Sequence, residues 1–157
     1  HAYRELMGLP APKLAPVSLA MLLERVARLE IRVNVAIATT SDVTLMVDAD
    51  QIQQALINLT RNAAEAALSG DAAPAVEIAW KNIDREIVIT IRDNGPGLLN
   101  AGNLFVPFYT TKPSGTGIGL VLAQQIAQAH KGSVHLANRG DGQSGCIAEL
   151  RLPVLLA

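Results

Sequence analysis

Apolar positions along the 157-residue chain fall into segments with distinct periods. Leu19, Leu22, Leu23, Val26 and Leu29 recur at helical spacing behind Ser18, a residue type suited to cap a helix start, and predict a first helix. Ile31-Arg32-Val33-Asn34-Val35-Ala36-Ile37 alternates with a period of two and predicts a strand; Leu45-Met46-Val47 predicts a shorter one. Behind Asp48, from about residue 49 to 68, Ile52, Leu56, Leu59, Ala63 and Ala66 draw the apolar stripe of a long helix. Residues 76–80 and 87–91 read as a strand pair joined by a turn at Asn82-Ile83-Asp84-Arg85. Residues 98–114 show no steady period and read as a loop; a helix follows from residue 116 to about 129. Residues 133–137 and 146–152 read as closing strands. Ahead of all this, Pro10, Pro12 and Pro16 suit an extended connector.

The polar side of the long helix is unusual. Gln54, Asn58, Asn62 and Glu65 share one face. A merely solvated face would favour Lys and Glu, and asparagine in mid-helix lowers helix propensity. An amide oxygen does suit a hard cation already bound to phosphates, so the stripe reads as facing a ligand.

Two further stretches carry chemistry. Gly115-Thr116-Gly117-Ile118-Gly119-Leu120 runs into the helix that follows. Glycines let backbone approach a ligand closely, and a helix start offers unpaired N–H groups and a positive dipole end, a combination that binds phosphate. Alone, such a turn is often no more than a tight connection. Asp93-Asn94-Gly95-Pro96-Gly97 follows a strand. It could be a plain polar turn; equally, a carboxylate at a strand end can accept a hydrogen bond from an exocyclic amine, with Gly95 and Gly97 keeping the walls thin for a flat ring.

Composition narrows the classes. Half the residues are hydrophobic but only 3% are aromatic, so the core is aliphatic. The net charge of -1 and the lack of a large basic patch give no support to nucleic-acid binding. The single cysteine, Cys146, excludes an internal disulfide and reads as a small buried residue. No apolar run approaches the roughly 20 residues needed to span a bilayer.

Taken in order, Asn58-Leu59-Thr60-Arg61-Asn62-Ala63, Asp93 to Gly97, Phe105-Val106-Pro107-Phe108-Tyr109-Thr110-Thr111-Lys112 and Gly115 to Leu120 resemble the boxes of the catalytic, ATP-binding domain of sensor histidine kinases. That domain belongs to a superfamily with gyrase, the ninety-kilodalton heat-shock chaperone and MutL. The flavour is nearest the nitrogen-regulation type. The resemblance implies an α/β two-layer sandwich of the Bergerat type, a mixed sheet of about five strands covered on one face by three helices. It implies ATP and Mg2+ as cofactors. Asn62 would bind the metal and Asn58 would support the metal and phosphate network. Asp93 would take the adenine amino group, and Gly95 and Gly97 would shape its pocket. Residues 98–114 would be a lid that orders over nucleotide, with Lys112 reaching the terminal phosphates. Gly115, Thr116, Gly117, Gly119 and Leu120 would form the lid's far hinge and contact phosphates through backbone N–H groups. Phe105 and Phe108 would dock on an acceptor hairpin or pack the lid on its own domain.

The chain also departs from the family's commonest pattern. Glu65 and Ala66 stand where a basic residue and an aromatic are usual, which puts weight on Lys112 for charge neutralisation. His130-Lys131-Gly132 replaces His-Gly-Gly, and His130 reads as structural. His1-Ala2-Tyr3-Arg4-Glu5-Leu6 lacks the acceptor-histidine pattern. The expected organisation is therefore a linker remnant over residues 1–16 and a catalytic domain over 17–157. That domain would deliver the γ-phosphoryl to a histidine on a separate dimerisation domain. A response-regulator receiver domain is the second partner implied. The resemblance implies a cytoplasmic location, a homodimeric full-length protein and a monomeric isolated domain; whether the parent is anchored in a membrane stays open. Two alternatives remain at this stage, a gyrase- or chaperone-type ATPase clamp and a nucleotide- or partner-binding module without phosphotransfer.

Overall fold

A computed structural model describes residues 8–97 and 117–154. Elements are numbered in chain order: β1 (Ala15–Ser18), α1 (Leu19–Leu29), β2 (Asn34–Ile37), β3 (Thr44–Val47), α2 (Ala49–Leu68), β4 (Ala75–Ile83), β5 (Glu86–Asp93), α3 (Gly117–Ala129), β6 (Ser133–Asn138) and β7 (Cys146–Pro153). Five strands form one sheet in the order β2-β4-β5-β7-β6; β2 runs parallel to β4 and every other neighbour is antiparallel. The mixed five-stranded sheet with three helices is the architecture expected from the sequence.

Alternation decides which face of the sheet is covered. Val76 and Ile78 of β4, Ile87, Ile89 and Ile91 of β5, and Leu150 and Leu152 of β7 join Leu19, Leu23, Leu56, Leu59 and Ile126 of the helices in one cluster. Burying each large aliphatic side chain contributes roughly 1.5–3 kcal/mol, enough for such a core to hold without an aromatic centre. β5 is the central strand and is buried from Ile87 to Ile91, which makes its C-terminal end a rigid place to mount Asp93.

Three elements differ from the sequence reading. Ala15–Ser18 is a strand, paired antiparallel with β3 in a separate two-stranded sheet, where an extended connector was expected. A proline within a strand argues against one, but Pro16 sits in a short pair with only one neighbour, where a missing N–H is tolerated. Residues 10–13 also lie on the body, since Gln51 Nε2 donates to the Pro10 carbonyl and the Lys13 N–H donates to Asp48 Oδ2. β2 starts at Asn34 rather than residue 31, and Ile31 is 90% exposed. The hairpin between β4 and β5 closes through two residues, Asp84 and Arg85, both at positive φ (50° and 66°). That is the backbone of a tight primed turn, built without its usual glycine.

The helix starts are capped as the sequence indicates. The Ser18 hydroxyl accepts from the Met21 N–H and donates to Asp42 Oδ2, while Asp42 Oδ1 takes the Ala20 N–H. Asp48 Oδ1 accepts from the Gln51 N–H at the start of α2. These bonds hold both carboxyls below the usual carboxylate range. For Asp42 the main causes are the Ala20 N–H and the Ser18 hydroxyl; for Asp48 they are the N–H groups of Lys13 and Gln51.

Candidate functional site

The polar stripe of α2 faces a cleft. Asn58, Arg61, Asn62 and Glu65, at relative positions i, i+3, i+4 and i+7, line it together with Gly119 and Leu120 from the first turn of α3. Its volume is about 60 Å³, room for a phosphate group or a hydrated ion rather than a nucleotide. Two larger cavities lie elsewhere. One of about 160 Å³ sits between Leu14, Met46, Ala129 and Leu152, and one of about 370 Å³ lies on the uncovered face of the sheet around His135, Glu149 and Arg151. Neither is lined by any residue of the four motifs, so size does not select the site.

Asn58 fastens the two helices. Its Nδ2 donates to the Gly119 carbonyl at 3.2 Å, and its Oδ1 accepts from Gln54 Nε2 at 3.0 Å. That oxygen is engaged within α2, so Asn58 acts on the site through the position of α3. Asn62, one turn on, is half-buried at the same cleft. Gly119 is glycine for no reason found in the described packing. A Cβ there would lie 3.8 Å from Asn58, an ordinary contact.

Glu65 is not left facing the cleft alone. Arg32, in the loop before β2, approaches Glu65 Oε2 at 3.8 Å and binds Glu30 at 2.9 Å. The Arg32 guanidinium in turn holds the Glu30 carboxyl below its ordinary range.

At the other end of α2, Asp93 is 3% exposed at the end of β5. Its Oδ1 accepts from the N–H groups of Gly95 at 2.9 Å and Cys146 at 3.2 Å, so the carboxylate has one orientation. The loop between β6 and β7 braces this turn. Arg139 donates to the Asp93 carbonyl at 3.2 Å, and the Ser144 hydroxyl donates to the Gly95 carbonyl at 2.6 Å. Gly95 presses on the last turn of α2, where a Cβ would collide with the Ala66 carbonyl. Gly97 has φ +87°, and a Cβ there would meet Asn138 Oδ1 at 2.7 Å. Packing alone therefore demands both glycines, whatever they also do for a ligand. Asn58 and Ala66 are eight residues apart on α2, about 12 Å at 1.5 Å per residue. The Asn58 end of the cleft and the Asp93 turn are thus apart by the length scale of a nucleoside triphosphate, and Glu65 brings the cleft's other end next to the turn.

Lys112, Gly115, Thr116, Phe105, Phe108 and the loop 98–114 lie outside the described residues. Among the expected site residues, the structure brings Asn58, Asn62, Gly119 and Leu120 to one cleft and places Asp93, Gly95 and Gly97 together at the far end of α2; Gly117 begins α3. Sequence reasoning missed Arg61, Arg32, Arg139 and Ser144. Only Arg61 had a readable signal, its spacing of three from Asn58.

His130 has a structural task. Its Nε2 accepts from the Asp48 N–H at 3.1 Å and its Nδ1 donates to the Ile126 carbonyl at 2.9 Å. The end of α3 is thereby tied to the start of α2. Among the described residues no group of three or more His, Cys, Asp or Glu side chains could cage a metal ion, and no helix is long and apolar enough to cross a membrane.

Residues 47–156 match the family described as histidine kinase-, DNA gyrase B-, and HSP90-like ATPase. The signal transduction histidine-protein kinase AtoS of Escherichia coli is 39% identical over 93 residues, covering 58% of this chain and 15% of AtoS. Sporulation kinase B of Bacillus subtilis is 32% identical over 123 residues, 77% of this chain and 28% of that protein. The chain thus spans little more than a quarter of such relatives at most. Among solved structures, the nucleotide-free catalytic domain of the histidine kinase ThkA superposes with a TM-score of 0.74 at 25% identity, covering 90% of this chain and 96% of that one. Full-length ShkA in complex with AMPPNP gives a TM-score of 0.77 at 27% identity, over 96% of this chain and 34% of that one.

Proposed function

The chain belongs to the histidine kinase-, DNA gyrase B- and HSP90-like ATPase family, and from that premise we propose that it binds ATP with Mg2+ and delivers the γ-phosphoryl to a histidine on a separate dimerisation domain. The observation that carries this reading is the layout along α2. A polar cleft with a bare-backbone helix start lies at its middle, and an oriented, buried carboxylate lies at its end. Asp93 would accept the adenine amino group. Helix α3 would present its first N–H groups to the phosphates, with Gly117, Gly119 and Leu120 as the contact backbone. Lys112, Gly115 and Thr116 would complete the phosphate end.

The residues present fit a metal that arrives with its ligand. The Asn62 amide oxygen is a neutral donor, and the absence of a carboxylate cage among the described residues means that phosphate oxygens must supply much of the coordination. Bound there, Mg2+ would offset phosphate charge. The chain's own work is positioning: the Asn58 bond to Gly119 sets the helix start, the Asp93 hydrogen bonds set the base, and transfer needs an in-line acceptor nitrogen from the partner domain. The imidazole nitrogen bonds to phosphorus as the bond to the ADP oxygen breaks. A receiver domain of a response regulator would take the phosphoryl next.

Calorimetry tests the reading. ATP with Mg2+ should bind, Asn62→Ala should weaken the Mg2+-dependent part, and Asp93→Ala should abolish preference for ATP over GTP. Folded protein that gives no heat with ATP and Mg2+ refutes it.

A further inference from the structure

We propose that Arg61 is a phosphate-facing cation of the cleft, and that Arg32 makes this possible by neutralising Glu65; the inference rests on the ATP-binding reading above. A triphosphate brings several negative charges, and the cleft's described lining carries two charged side chains, Arg61 and Glu65. Glu65 opposes an anion. The structure meets that opposition with Arg32, which reaches Glu65 at 3.8 Å while Glu30 anchors its other side through bonds of 2.9 and 3.1 Å. Arg32 is therefore a positioning residue, a guanidinium held between two carboxylates at the rim.

Arg61 differs from Arg32. It is exposed and makes no ion pair or side-chain hydrogen bond among the described residues. Its charge is still felt by Glu30, so it stands near the same rim without being bound there. It sits between Asn58 and Asn62 in the stripe, on a helix whose packed face is fixed by Leu59, Ala63 and Ala64. A planar guanidinium with five donors matches phosphate oxygens in pairs, where an ammonium offers only a point charge. The family's usual cation lies three positions after the metal asparagine. In this chain Glu65 holds that position, and Arg61 supplies a cation from the neighbouring column of the same helix.

Paired titrations separate phosphate recognition from base recognition. ATP with Mg2+ and adenosine are each titrated into the wild type and variants, with affinities read from NMR shifts. Arg61→Gln should weaken ATP by tenfold or more and leave adenosine unchanged, and Arg61→Lys should recover part of the loss. Arg32→Gln should also weaken ATP selectively, and adding Glu65→Gln should restore it, because the carboxylate that Arg32 neutralised is then gone. An Arg61→Gln protein that binds ATP within twofold of wild type overturns the proposal. So does an equal loss for ATP and adenosine, which would place the effect on the fold and not on the phosphates. A wild-type domain that binds neither ligand overturns the nucleotide reading itself.

Discussion

Lys131 sits at φ +63°, one residue after His130 and past the end of α3. The Lys131 N–H reaches the Gln128 carbonyl at 2.9 Å and the Gly132 N–H reaches the Ala127 carbonyl at 2.7 Å, the paired bonds of a helix C-cap that favours glycine. A lysine Cβ makes that left-handed conformation costly, by about 1–2 kcal/mol. Lys131→Gly should therefore stabilise the domain by about 1 kcal/mol after the added chain entropy is subtracted, raising Tm by roughly 2–4 °C in a scanning calorimeter. A lower Tm would show that the lysine side chain makes a compensating contact. At this scale the sequence was legible where a residue type was out of place, as with two asparagines in mid-helix. It was not legible where a common residue took an uncommon duty. Arg61 looks like any surface arginine until its column is seen to face the cleft. Arg139 and Ser144 act on Asp93 across 46 and on Gly95 across 49 residues, separations that no local pattern encodes.

The helices depend on carboxylates at their starts. Asp42 and Asp48 both have lowered pKa values in the folded protein, as do Glu30 and Asp141. A carboxyl depressed on folding contributes stability that is present above its unfolded pKa and lost as pH falls through its folded one. Urea unfolding should thus show a plateau near neutrality and a decline starting near the unfolded Asp value of about 4 and continuing below it. Asp48→Asn keeps a side-chain acceptor for the Gln51 N–H but cannot titrate and leaves only one oxygen for the two N–H groups of Gln51 and Lys13, so it should lower stability at pH 7 and flatten part of that decline. An unchanged acid slope in Asp48→Asn would remove the cap from the explanation. Long periodic elements such as α2, and the cap at Ser18, were plain from the chain. β1 was hidden because Ala-Pro-Val-Ser has neither alternation nor length, and only the pairing with β3 makes it a strand. Residues 31–33 misled in the other direction: alternation in a loop looks like alternation in a strand.

For the molecule as a whole, the proposed function turns on whether water or a histidine would receive the phosphoryl. ATPases of the gyrase type carry a glutamate where this chain has Asn58, an amide that cannot act as a base. Glu65, the carboxylate on the same helix face, is engaged by Arg32. The isolated domain should bind ATP yet turn it over very slowly, and an acceptor helical domain added in trans should gain an acid-labile phosphohistidine. Rapid steady-state hydrolysis by the chain alone, lost in Glu65→Gln, would assign it to the ATPase class instead. The tie from His130 to Asp48 has a mechanical consequence. It joins α2 and α3 like the hinge of a drawing compass, with legs of about 15 Å to Asn58 and about 16 Å to Gly119 at 1.5 Å per residue. The Asn58 bond to the Gly119 carbonyl clasps the legs. Because the pivot is far from the clasp, a tilt of only ~5° in α3 would carry Gly119 by about 1.4 Å, enough to break that bond, so a small angular input at this joint has large leverage on the cleft.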